Sequence, residues 1–173
     1  MKIQILKNSR SASFLIFLFI LMGLTAHAQK NPPAPGLQIT RTEVIKIVRE
    51  IDSSMIFHQE RDIDDLPTFS ARSKNKTSVQ LLGDEDELKF IKWAFSFTAD
   101  AELNQVCVLN MSNFMFSLGD GKGGDWLNEQ MAGIAKQTNK GFISKKIALN
   151  NNRKAQLIYN PAGKIMSLIF TEW

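Results

Sequence analysis

The sequence predicts one α+β domain: an antiparallel sheet of about five to six strands, laid out as two meanders, with about three helices on one face. Three observations lead there. A stretch near residue 40 carries apolar residues at helical spacing behind a capping signal. Residues 91–97 alternate strictly between bulky apolar and small or polar side chains. The last thirty residues are short apolar runs separated by Asn-rich and Pro-Gly turns.

The chain has 173 residues, and its start reads as an address rather than as part of the fold. Lys2, Lys7 and Arg10 precede the apolar run from Phe14 to Leu24, which is followed by Ala26-His27-Ala28. Basic, apolar and then small is the order of a secretory signal peptide, assigned here to residues 1–28. The apolar run is shorter than the roughly 20 residues of a spanning helix. Export to a periplasm or the outside is therefore expected, with no stable membrane anchor after cleavage. Residues 29–39, with Pro32, Pro33 and Pro35, read as an extended flexible spacer, and residues 40–173 as the domain.

Charge and cysteine content narrow the function. The formal net charge is +4, but three of the 21 basic residues lie in the leader and all 17 acids lie beyond it, so the exported part is close to neutral at +1. That balance gives no support to nucleic-acid binding. Cys107 is the only cysteine, so no internal disulfide forms. Its neighbours Val106, Val108 and Leu109 favour a small buried hydrophobe.

Along the domain, Thr40-Arg41-Thr42-Glu43 is a capping box, and Val44, Ile47, Val48, Ile51 and Met55 extend it as an amphipathic helix over 41–57. Glu60 to Asp65 reads as an acidic loop ending near Pro67. Short strands are expected at 68–72 and 79–82, with Gly83 to Glu87 as the hairpin loop leading into Ile91, Trp93, Phe95 and Phe97. Leu103, Val106, Cys107, Leu109, Phe114 and Leu118 favour a helix capped by Asp100, the alternative being two strands at 105–109 and 113–118. The glycine run 119–124 is expected to end it, and Asp125 to cap a further helix over 126–139 with Trp126, Leu127, Met131 and Ile134 inward. Strands at 142–149, 155–159 and 164–171 close the chain, joined by Asn150–Arg153 and Asn160–Gly163 turns.

The inventory of chemical groups is poor. Beyond the leader the only histidine is His58, expected as an exposed residue at a helix end, and no nucleophile elbow accompanies it. Asp62-Ile63-Asp64-Asp65 and Asp84-Glu85-Asp86-Glu87 lack the layout of a calcium loop and read as solvated charge. Gly119-x-Gly121-x-x-Gly124 matches a dinucleotide fingerprint in letters only, since no βαβ context surrounds it. The expectation is no catalytic residue, no cofactor and no bound metal.

The glycine run beside an aromatic residue suggests a recognition loop, so Asp120, Lys122, Asp125 and Trp126 are the candidate partner-binding residues. The expected function is a small exported, non-catalytic binding protein whose partner is a protein or a small apolar molecule of the cell envelope. The alternative is a carboxylate-dependent hydrolase of cell-wall or polysaccharide material, with Asp62, Asp64, Asp65, Asp120 and Asp125 as candidate acids.

Overall fold

A computed structural model describes residues 36–136, 141–149 and 152–172. The leader assigned to residues 1–28 lies outside them. The fold is α+β, as the pattern predicts, but among the described residues its antiparallel sheet has seven strands rather than five or six. In chain order the elements are α1 (Arg41–Ile51), β1 (His58–Gln59), β2 (Thr68–Arg72), β3 (Thr77–Gly83), β4 (Leu88–Ser96), α2 (Ala101–Lys136), β5 (Ile143–Ala148), β6 (Arg153–Asn160) and β7 (Ile165–Glu172). The strand order is β1-β2-β3-β4-β7-β6-β5. Both meanders thus join one sheet, and β7 closes it by pairing with β4, Trp93 opposite Leu168.

The extra strand comes from the segment read as an acidic loop. His58 pairs with Ser70 and Gln59 with Phe69, and Ile63 bridges Leu66. Asp64 and Asp65 link them with φ of 51° and 61°. Two consecutive left-handed residues make the two-residue turn whose twist suits a hairpin, and aspartate tolerates that conformation. His58 is therefore an exposed edge-strand residue and not a helix-end residue.

Helix α1 begins with the predicted capping box: the Glu43 N–H donates to Thr40 Oγ1, and the Thr40 N–H to Glu43 Oε2. It stops at Ile51, short of the expected 57. Asp52 ends it by drawing the Ser54 N–H and hydroxyl onto its own carboxylate, a turn that competes with helical pairing. Met55 is still fully buried, which is why the apolar period ran past the true end.

The largest departure is α2. The two helices expected at 100–118 and 126–139 are one element of 36 residues, and the glycine run that was to separate them lies inside it. Asp100 caps the start, accepting from the Leu103 N–H at 3.0 Å. A straight helix of this length would run about 54 Å, while seven strands span about 30 Å. The helix bends instead. Phe116 and Gly124 would lie about 12 Å apart along a straight axis, yet a Cβ on Gly124 would sit 2.1 Å from the Phe116 ring. Glycine permits both the bend and the contact. Leu149, after β5, fills the inner side, touching the Cβ positions of Gly119 at 3.3 Å and Gly123 at 3.2 Å. The Leu118 carbonyl accepts from Arg153 Nη1 at 2.9 Å. Arg153 also donates to the carbonyls of Leu37 and Gln38, so one half-buried guanidinium ties β6, the bend and the approach to α1 together. Leu37 is itself fully buried, with its N–H on the Leu88 carbonyl at 2.7 Å.

Both described helices cover the same sheet face. Trp93, Phe95, Leu168 and Phe170 rise from its centre and meet Val44 and Val48 of α1 and Met111, Phe114 and Met115 of α2 in one core. Trp93 stacks on Phe114 at a centroid distance of 4.8 Å, and Phe114 meets Phe170 edge-on at 5.8 Å. The aromatic stripe is therefore core. Among the described residues no helix is long and apolar enough to cross a membrane.

Candidate functional site

The residues singled out from the sequence do not form a loop. Lys122, Asp125 and Trp126 fall on α2 just past its bend, and the backbone of Asp120 belongs to the same helix. Lys122 and Asp125 are exposed, while Trp126 packs partly against the core. The flexible connector that motivated this choice is a helical segment held by Met115, Phe116 and Leu149. Buried neighbours override the cost of glycine in a helix, about 1 kcal/mol per residue.

The acidic clusters have local tasks. Glu85 reaches the first turn of α1, where its Oε1 accepts from the Thr42 hydroxyl at 2.6 Å and the Thr42 N–H at 3.1 Å. Its Oε2 meets Arg41 at 2.7 Å. Hydrogen bonds from Thr42, with Arg41 adding to them, hold its carboxyl below the usual glutamate range. The carboxylate satisfies the orphan donors and positive end of the helix dipole. Glu87 pairs with Lys89, which its carboxylate keeps protonated to higher pH than usual. Gly83, at φ 125°, provides the bulge that starts this loop, where a Cβ would meet the Glu87 carbonyl oxygen at 2.5 Å. Among the described residues no three histidine, cysteine, aspartate or glutamate side chains gather as metal ligands. Cys107 is buried, 3.6 Å from the Thr77 hydroxyl and 3.4 Å from the Asn75 carbonyl.

The site that sequence reading missed lies on the other side of the sheet. No described helix covers this face. Register places Ser70, Gln80, Lys92, Ile169, Gln156 and Lys146 in one row across it, from β2 to β5. Arg72 and Lys154 flank that row, and the small residues Ala94 and Ser167 are buried at its middle. Leu82, Phe90, Ile158 and Ile169 lie half-buried on the same face, so it mixes cations with apolar side chains and has short residues near its centre.

Toward the β1 edge the face sinks into a recess of about 360 Å³. The β1 hairpin forms one wall. Glu60 continues the ladder, its N–H on the Thr68 carbonyl at 2.8 Å, and its Oε1 accepts from the Ser70 hydroxyl at 2.6 Å. Arg61 follows at the rim. Arg72 and Lys92 come from β2 and β4, and Ser78 and Gln80 of β3 lie between them. Arg61, Arg72 and Lys92 make no ion pair among the described residues. Glu60 is the one acid on the lining among the described residues, which gives the recess an excess of positive charge.

This site hides from sequence reading because its residues come from four segments between 60 and 92. Each looks like an ordinary solvated charge until pairing brings them together. The alternation of Lys92 with Trp93 showed only that Lys92 faces away from the core. No protein-family model matches the chain, and no curated protein or solved structure matches it, so the geometry of this recess is the guide to function.

Proposed function

We propose that the chain is a small exported, non-catalytic binding protein that recognises a partner or ligand of the cell envelope through the uncovered face of its sheet. The observation that carries this reading is the collection of Arg61, Arg72 and Lys92 around one recess, with Glu60 beside them and no ion pair to any of the three among the described residues. Three cations and one carboxylate on a single lining leave an excess of positive charge there. Such charge complements a ligand, steering its approach and fixing its orientation. Around the recess this face offers hydroxyls and amides from Ser70, Ser78 and Gln80, while Phe90, Ile158 and Ile169 lie on the same face farther across the sheet. The polar lining favours a negatively charged partner over an apolar one, and Trp93 and Phe95 are already committed to the core. Export rests on the basic, apolar and small order of residues 1–28.

Two measurements test this. Sequencing the amino terminus of the protein from fractionated cells is expected to start at Gln29 in the envelope or medium; cytosolic protein retaining Met1 overturns export. Envelope extract is then passed over the immobilised wild-type protein and over an Arg72→Glu, Lys92→Glu, Lys146→Glu, Lys154→Glu variant whose fold is checked by circular dichroism. The wild type retains a component that the variant loses and that raised salt releases. Retention indifferent to these four charges, or none at all, rules out this face.

A further inference from the structure

We propose that the recess beside the β1 hairpin is a binding site for an acidic sugar, a hexuronate unit presented by an anionic polysaccharide. This deepens the binding-protein reading and rests on it. The volume, about 360 Å³, lies at the small end of ligand sites, suited to one or two sugar rings. Its charge pattern selects the chemistry. Arg61, Arg72 and Lys92 supply planar and point-like donors for an oxyanion. Glu60 stands in the same lining with one oxygen committed to Ser70, leaving its second oxygen to accept a hydroxyl.

A compact oxyanion such as phosphate meets the three cations but has no ring hydroxyls to reach Glu60, Ser78 and Gln80. A neutral sugar leaves three cations unused. A uronate satisfies both, with one carboxylate for the cations and ring hydroxyls for Glu60, Ser78 and Gln80. Among the described residues no aromatic side chain lines the recess, so a nucleobase has nothing there to stack on and recognition depends on charge and hydrogen bonds.

The test is a titration of the purified full chain, followed by backbone amide NMR, with D-glucuronate, D-glucose and inorganic phosphate at matched ionic strength. Glucuronate is expected to give saturable shifts centred on Ser70, Ser78 and Gln80, while glucose gives none. Arg72→Ala and Lys92→Ala each weaken glucuronate binding about tenfold, the loss of one charge-assisted hydrogen bond. Glu60→Gln weakens glucuronate and strengthens phosphate. The inference fails if glucuronate produces no saturable shift, if glucose matches it, or if phosphate binds as tightly to the wild type. If glucuronate fails while the envelope component is still retained through the four open-face charges, only the sugar assignment falls. If both fail, the binding-protein reading falls with it.

Discussion

The two faces of the sheet are made from the same strands and follow opposite rules. On the helix-covered face Trp93, Phe95, Leu168 and Phe170 are packed to exclusion of water, and the stacking of Trp93 on Phe114 joins sheet to helix. On the other face, one residue away along each strand, stand Lys92, Ala94, Ser167 and Ile169. A pleated strand sends alternate side chains to opposite sides, so a single segment such as β4 serves both. The large buried side chains are concentrated on one side, which leaves the other to hold the charged groups. The covered face holds the protein together, and the charged lining of the face that no described helix covers is where the binding role is placed.

The contrast is broken hardest at Trp93. Trp93→Ala removes the largest side chain of the covered face and leaves a cavity against Phe114; a loss of about 3–5 kcal/mol is expected by denaturant unfolding. A midpoint unchanged from wild type would mean that the helices do not depend on this face.

The bend in α2 offers a finer test, because its glycines differ in surroundings. A Cβ at Gly124 collides with the Phe116 ring, whereas a Cβ at Gly121 meets nothing within 4 Å. Gly124→Ala should cost about 1 kcal/mol net, since the half-exposed ring can swing aside and alanine improves helix propensity. Gly121→Ala should gain about 0.5–1 kcal/mol from propensity alone. Thermal melts of the pair should move in opposite directions, and equal shifts would contradict the bend.

Smaller still is the acid dependence. Hydrogen bonds from Thr42 favour the charged form of Glu85 in the folded state, and those from Thr40 do the same for Glu43. A carboxyl whose folded value is depressed stabilises the fold above its ordinary titration range. That contribution is lost as the pH falls through and below the ordinary glutamate value of 4.5. Glu85→Gln should therefore flatten the fall in stability below that pH and leave the slope near neutrality unchanged, as read from urea unfolding across a pH series. Both groups lie near the surface, so the effect is modest.

On the uncovered face the expected effect on folding is nearly nil. Arg72→Ala and Lys92→Ala should each shift stability by no more than about 0.5 kcal/mol. A larger loss by the same urea assay would assign these cations a structural role and weaken the case for a binding face.

Much of this architecture was legible in the order of residues. The alternation around Ile91, Trp93, Phe95 and Phe97 located β4, and the apolar runs of the tail located β5 to β7, because a strand buried on one side must repeat with a period of two. Thr40 and Glu43 marked the start of α1 because a helix's first N–H groups need acceptors and these side chains supply them. The end of α1 was harder to see, since Met55 continues the apolar period after Asp52 has broken the backbone ladder. Strand β1 was missed because two residues carry no period. The turn after Asn160 shifts by one residue, with the Lys164 N–H on the Pro161 carbonyl and Lys164 at φ 51°.

Local sequence by itself determined the α+β class, most strand positions and both helix starts, because these depend on periodicity and on caps within a few residues. The tertiary structure alone decided that the glycine run would be helical and that Arg61, Arg72 and Lys92 would share one recess. Neither outcome is encoded nearby. Gly119, Gly123 and Gly124 stay helical because Met115, Phe116 and Leu149 fill the space they leave. The cations meet because strand pairing brings residues thirty positions apart onto one surface, where their charges act together.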